Sequence, residues 1–211
     1  MFDSSSPTSI ISYAKKLEGK TLNEFIVDNK FSGKGKFGQT LEEGYFNYQP
    51  NNNSSPDFIE AGLELKSCPI YKLSNNTFKS KERVSLNIIN FMKVYNEIFE
   101  ESSFYIKNSH ILFVFYLYDS EKFFLDYEIK LVGDWKLEGN DLVIVKQDWI
   151  FINNKIKSGK AHELSEGDTF YLGAATKGPG GDASKREQPF SNIPARQRAY
   201  SYKQSYVNHI L

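Results

Sequence analysis

The sequence predicts an α/β protein, on the border of α+β, built on one central mixed sheet of about five strands flanked by helices. Three observations carry this. Along the 211 residues, segments with strand-like alternation are interleaved with segments of helical spacing. Residues 110–118 are apolar at nearly every position, as suits a central strand covered on both faces. No shift in composition and no internal repeat marks a second domain, so residues 1–211 read as a single unit.

In chain order, Ser6, Pro7 and Thr8 precede Ile10, Ile11, Tyr13, Ala14 and Leu17, the pattern of a capped amphipathic helix ending near Gly19. Thr21 with Glu24 three residues on has the form of a capping box and opens a second short helix carrying Phe25 and Ile26. Residues 1–30 are therefore N-terminal helices. Residues 31–38 are glycine-rich and lead into a third helix with Leu41, Tyr45 and Phe46 on its buried side; the glycines lack Walker spacing. Residues 50–56 form a loop that delivers the chain to Asp57.

Strands are expected over 63–69, 83–91, 110–118, 124–132 and 168–174, with a polar loop over 72–81. Asp148, Trp149, Ile150, Ile152 and Ile156 lie on a helix that stops at Gly159. Residues 176–189, rich in Gly, Lys and Ser, are expected as an exposed loop, and residues 195–211 return to helical spacing with Tyr202, Tyr206 and Ile210.

Composition removes several classes of function. The single Cys68 excludes an internal disulfide framework and a cysteine-based zinc site, and three scattered histidines make no metal cluster. No run of about 18 apolar residues is present to span a membrane. The first six residues lack the basic and apolar regions of a signal peptide, so a cytoplasmic protein is expected. The formal net charge is zero, yet its distribution is uneven. Residues 170–211 carry six basic against two acidic side chains, while residues 97–128 carry seven acidic against two basic ones. A basic C-terminal quarter suits a phosphate-bearing partner.

The chemistry concentrates in residues 57–66. On a strand, side chains two apart share a face, so Glu64 and Lys66 point the same way while Leu63, Leu65 and Ser67 alternate with them. Asp57 lies upstream across Ala61 and Gly62, a small pair that permits a sharp turn. Two carboxylates and an ammonium converging at one end of a strand suit a divalent cation, for which Mg²⁺ uses one or two carboxylates plus waters and substrate phosphate. The lysine can hold or deprotonate a water attacking phosphorus. An acid-x-Lys triplet alone is weak: Glu128, Ile129, Lys130 (after Asp126) and Asp134, Trp135, Lys136 repeat it. Only the first combines Pro56-Asp57, a gap of seven to the glutamate, and flanking apolar strand positions.

Residues 34–42 (KGKFGQTLE) followed by Pro56, Asp57, Phe58 and residues 61–69 (AGLELKSCP) resemble the MutH family. That family joins a mismatch-repair nicking endonuclease to GATC-cutting restriction endonucleases of the Sau-three-AI type. The restriction branch is the more similar, through residues 80–83 (SKER), 86–90 (LNIIN), 146–149 (KQDW), 159–167 (GKAHELSEG), 176–178 (TKG) and Arg198-Ala199. The resemblance runs in order over nearly the whole chain.

It implies a restriction-endonuclease-like fold and Mg²⁺-dependent cleavage of double-stranded DNA at GATC. Asp57, Glu64 and the Leu65 carbonyl would be metal ligands, Lys66 would orient or activate water, Glu42 matches a helix-borne acid, and Lys107 matches a further lysine near the active site. Residues 176–211 would hold the DNA-recognition loop and the C-terminal helix. Lys34, Thr176, Lys177, Arg196, Arg198, Ser201 and Lys203 occupy DNA-binding positions, with Lys177 entering the major groove. Ser201 stands where the repair branch has a tyrosine that senses adenine methylation, which implies cleavage indifferent to methylation; Tyr200 and Tyr202 remain candidate substitutes. Known restriction relatives carry a further C-terminal domain, so double-strand cleavage is expected to need that domain or a second copy. A strand-nicking repair enzyme and a non-catalytic DNA-binding module are the alternatives.

Overall fold

The computed structural model describes residues 2–26, 35–48 and 55–211. The strands in chain order are β1 (Glu64–Lys72), β2 (Phe78–Ser80), β3 (Val84–Ile88), β4 (His110–Leu117), β5 (Ile129–Lys136), β6 (Leu172–Thr176), β7 (Lys185–Gln188), β8 (Ser191–Arg196) and β9 (Arg198–Tyr202). The α-helices are α1 (Pro7–Ala14), α2 (Lys36–Gln39), α3 (Phe91–Val94), α4 (Ser103–Asn108), α5 (Gly139–Lys157) and α6 (Gln204–Ile210). They form two compact units, one from Met1–Glu82 and His110–Lys136, the other from Arg83–Ser109 and Leu137–Ile210.

The first unit is a mixed sheet in the order β2-β1-β4-β5. β1 and β4 run parallel, with Leu65 opposite Leu112, and the outer pairs are antiparallel. Residues 111–115 of β4 are all buried, as expected for a strand covered on both faces. The N-terminal helices cover the sheet with Ile10, Leu17, Leu22 and Leu41, which meet Leu63, Leu65, Leu112, Val114 and Ile129 in one core. α1 starts as the sequence predicts, with Ser6 Oγ accepting from Ser9 N–H at 3.3 Å and Pro7 in the first turn. Gly19, at φ +76°, then turns the chain onto β5, its N–H bonded to Ile129 O at 2.8 Å. Thr21 N–H donates to Glu24 at 2.9 Å, the predicted box on a 3₁₀ turn.

The second unit packs α5 with an antiparallel sheet, β3-β9-β6, and a two-stranded ribbon, β7-β8. α5 buries Val145, Asp148, Trp149, Ile152 and Ile156, the stripe that period 3.6 demands. Asp148 is a carboxylate inside this stripe. Its oxygens accept three successive backbone N–H groups, from Phe170 (2.9 Å), Tyr171 (2.6 Å) and Leu172 (2.8 Å), and so fix the entry to β6. No helix among the described residues is long and apolar enough to cross a membrane.

Several boundaries depart from the sequence expectation. Residues 195–211 are not one helix: β8 ends at Arg196, β9 follows, and only α6 is helical. Tyr202 and Tyr206 are four apart, but β9 lies between β3 and β6, and the ladders on both of its edges outweigh helical spacing. The loop over 176–189 contains β7, and the loop over 72–81 contains β2. The strand expected over 124–132 begins at Ile129, because Phe124 and Leu125 are buried in a 3₁₀ turn. The strand expected over 168–174 begins at Leu172, after a turn that Ser165 and Asp168 cap reciprocally. α5 begins at Gly139, nine residues before the apolar cluster that reveals it.

Asp148→Ala strands those three N–H groups around an emptied site. It should lower unfolding free energy by about 2–4 kcal/mol, measured by urea titration.

Candidate active site

The site grows from an unpaired edge. A strand residue projects its N–H and C=O to the same side, and successive residues alternate. Phe58 and Leu63 form a bridge, with Phe58 N–H to Leu63 O at 2.9 Å and Leu63 N–H to Phe58 O at 3.2 Å. Leu65, two residues on, projects to the same edge. β2 joins β1 at Ile70–Lys72, so among the described residues no strand lies beside Leu65 on that side. The Asp57 carboxylate takes the place of a strand there: its Oδ2 accepts the Leu65 N–H at 2.9 Å. The Leu65 carbonyl projects from the same edge.

The turn that brings Asp57 back is built on Gly62, at φ +61°, whose N–H bonds to Ile59 O at 3.1 Å. The Asp57 N–H donates to Glu64 Oε2 at 3.0 Å, and Lys66 Nζ donates to Glu64 Oε1. Glu64 is fully buried, while the Lys66 side chain keeps 21% exposure at the mouth of the group. The sequence-predicted trio is therefore assembled, and Glu64 and Lys66 do share a face.

Glu42 joins them from the π-turned segment Thr40–Tyr45 that continues α2. Burial first, then the nearby Asp57 charge, push its pKa up to about 7, against the pull of Lys66. This helical segment approaches β1 closely at Gly38, where a Cβ would stand 3.1 Å from Ser67 Oγ and 3.9 Å from Glu42 Oε1. Gly38 is the glycine of the 31–38 stretch with a steric task at the site, which spacing alone does not reveal. For Lys66, burial pulls the pKa down, but Glu64, Asp57 and Glu42 outweigh it and hold the ammonium above the ordinary lysine value.

Three carboxylates thus face one ammonium. Among the described residues, no three His, Cys, Asp or Glu side chains form a preformed metal cage. Two carboxylates and a strand carbonyl are instead a partial, all-oxygen set, which fits a hard divalent cation that keeps waters and takes a phosphate oxygen. The two other acid-x-Lys triplets differ in burial. Lys130 pairs with Glu128, whose side chain is half-buried where that of Glu64 is fully buried. Asp134 is exposed and bonds to His110 Nε2 at 2.6 Å.

The remaining predicted residues belong to the second unit or fall outside the described residues. Lys34 falls outside the described residues. Lys107 is nearly buried at the end of α4, in the second unit. Thr176, Lys177 and Arg196 are exposed there. Arg198 is half-buried and donates to Ala174 O at 3.1 Å, and Lys203 Nζ donates to Thr169 O. Ser201 is buried in β9, with Glu166 Oε1 at 3.4 Å and Gly173 O at 3.5 Å from its hydroxyl.

Comparison with known proteins agrees with this geometry. The sequence model of the family described as DNA mismatch repair enzyme MutH matches residues 46–148, which include Asp57, Glu64 and Lys66. A type II restriction enzyme of Staphylococcus aureus, Sau3AI, is 44% identical over 201 residues, covering 94% of this chain and 41% of that protein. The chain therefore spans about two fifths of the length of that curated relative.

The raised Glu42 pKa carries a stability signature. In the unfolded chain Glu42 ionises near 4.5, but in the folded chain near 7, so between these values the unfolded state loses its proton first. With chelator present, stability should fall as pH rises from 4.5 to 7 and then level off, by at most about 3 kcal/mol from this group. Thermal melts of Glu42→Gln should lack that portion of the slope, and a divalent cation at pH 8 should raise the melting temperature of the parent protein more than that of the variant.

Proposed function

This chain belongs to the MutH and Sau3AI family, and on that footing we propose that it is a metal-dependent endonuclease of the restriction branch, cutting double-stranded DNA at GATC. The observation that carries the reading is the Asp57, Glu64 and Lys66 group on the open edge of β1, intact and hydrogen-bonded together. A catalytically dead binding module would have no need to bury Glu64 beside two further acids.

Asp57, Glu64 and the Leu65 carbonyl would hold the cation, for which Mg²⁺ suits the donor set, and it would supply positive charge to the scissile phosphate. The chain's own residues do the positioning. Lys66 is an ammonium at neutral pH, so it donates: it orients the attacking water and stabilises charge growing on phosphate oxygens, rather than taking a proton in this state. Glu64, which accepts from Lys66, fixes the direction of that ammonium. Asp57 is fixed in turn by the Leu65 N–H. Glu42, with its pKa near neutrality, is suited to accept a proton from the attacking water.

On the DNA-reading side, the exposed Thr176 and Lys177 suit contacts to base edges, Lys177 to guanine O6 and N7. Arg196 suits phosphate. Methylation indifference is supported by burial. Ser201 occupies the position of the repair branch's sensing tyrosine, and Tyr200 and Tyr202 are both fully buried, so neither ring can take over that role. Cutting both strands calls for a second copy or a further domain, since one catalytic set breaks one strand at a time.

Plasmid incubated with Mg²⁺ should yield linear fragments with GATC ends. Open circles would mean a nicking enzyme, and untouched DNA would overturn the catalytic reading. Lys66→Ala and Glu64→Gln should each lower cleavage at least about 100-fold while duplex affinity in Ca²⁺ falls far less, as expected for groups that act on the transition state. Unmethylated, hemimethylated and fully methylated GATC duplexes should be cut at equal rates; a block on the methylated duplex would remove the case from Ser201.

A further inference from the structure

The ribbon β7-β8 ends in a turn that folding alone does not explain. Gln188 pairs with Ser191, leaving Pro189 and Phe190 as the two turn residues. Phe190 has φ +59°, a region where the second turn position is normally glycine or asparagine. Its ring is 74% exposed and meets Tyr95 edge-on at 5.5 Å. A bulky side chain is thus held in an unfavourable backbone state and shown to solvent.

The tip is braced in that position. Gly159 lies so close beneath it that a Cβ would stand 2.7 Å from Phe190 O. Gln188, buried in the ribbon, accepts from Ala161 N–H at 2.7 Å, donates to Ile193 O and lies 2.9 Å from His162 Nδ1. Strain maintained by such bracing points to use of the side chain it presents. Met92 (50% exposed) and Ile193 (55% exposed) add apolar surface in the same unit.

The stem of the ribbon is cationic. Lys185 and Arg196 stand directly opposite each other, a like-charge pairing that costs stability unless an anion relieves it. Asp182 pairs with Lys185 at 2.7 Å but is itself almost wholly exposed; Glu187 is the other acid, and Arg186 folds back onto Ala183 O and Lys185 O. The stem also shares its root with the residues proposed to read bases. Thr176 pairs with Arg198, Lys177 N–H bonds to Gln197 O at 3.0 Å, and Gln197 N–H bonds to Ser184 O at 2.7 Å.

We propose that the β7-β8 ribbon is a duplex-DNA contact element, with Lys185 and Arg196 on phosphates and the Phe190 ring packed in a groove against a base step. It rests on the DNA-cleaving function proposed above. A two-stranded ribbon fits the major groove, where phenylalanine makes apolar contact with the thymine methyl group. A protein partner would have to answer the opposed Lys185 and Arg196 with acids of its own, whereas DNA supplies anions at every step of either strand.

The test uses Phe190→Gly, which removes the ring and also relieves the backbone, so the fold should melt no lower than the parent. Binding to a GATC duplex in Ca²⁺, followed by fluorescence anisotropy across a salt series, should weaken about tenfold with an unchanged salt slope. Arg196→Ala should weaken binding and reduce that slope by about one, as loss of a phosphate contact requires. Phe190→Tyr should bind as the parent does. Parent-like affinity in Phe190→Gly overturns the proposal, as does a loss of self-association by sedimentation with DNA affinity unchanged, which would make the tip an interface between copies. If the parent protein binds and cuts DNA while Phe190→Gly matches it, the ribbon's role alone fails. If the parent binds no duplex, the nuclease reading fails and takes this proposal with it.

Discussion

The hydrogen bond from the Leu65 N–H to the Asp57 carboxylate is the constraint on which the first unit's chemistry depends. Parallel pairing of β1 with β4 satisfies one edge of β1, and β2 covers only the far end of the other. Backbone groups around Leu65 would otherwise face outward unpaired beside a buried core, at a cost of about 1–3 kcal/mol each. The bridge between Phe58 and Leu63 and the Asp57 side chain satisfy them in turn. A carboxylate recruited to complete a sheet edge is thereby fixed beside the Leu65 carbonyl and Glu64. Structure and chemistry use the same atoms here, which is why the geometry can be rigid without a dedicated metal cage.

Electrostatics then separates roles among three similar acids. Glu64 is the most buried, and it accepts from both the Asp57 N–H and Lys66. Among the described residues no cation is hydrogen-bonded to Glu42, and burial with the repulsion of the group raises its pKa to about 7. Lys66 shows the converse response: burial alone would discharge it, yet the surrounding acids keep it charged. A divalent cation placed between Asp57 and Glu64 would relieve the Glu42 repulsion and compete with Lys66 for Glu64.

What the sequence makes legible is whatever is local. Alternation places Glu64 and Lys66 on one face, Gly62 marks the turn, and Ser6 and Thr21 mark helix starts, because each depends on neighbours within a few residues. Residues 195–211 were misread because β9 is stabilised by partners far away in sequence, Val84 and Leu172 both lying opposite Tyr202. Four-residue tyrosine spacing is a weak signal against two hydrogen-bonded ladders. Phe190 gave no signal at all: Pro189 announces a turn, but only the contact with Gly159 fixes the left-handed conformation that follows.

The same motif in three places isolates what makes a site. Glu64 with Lys66, Glu128 with Lys130, and Asp134 with Lys136 all obey acid-x-Lys spacing, and the first two form ion pairs. Spacing is therefore not the discriminator. At the start of β5 the Glu128 side chain keeps 38% exposure against 1% for Glu64, so water screens its field more and a cation would gain less there. At β1 Glu64 is desolvated, its neighbours are other acids, and the strand edge adds a carbonyl, so charge placed there is felt at close to full strength. A buried acid beside further acids costs stability in the absence of a counter-ion, and a fold that needed only a sheet edge would use a neutral side chain at position 64. A glutamate there suits a bound cation, and burial, more than the order of residues, is what sets this acid-x-Lys pair apart from the other two.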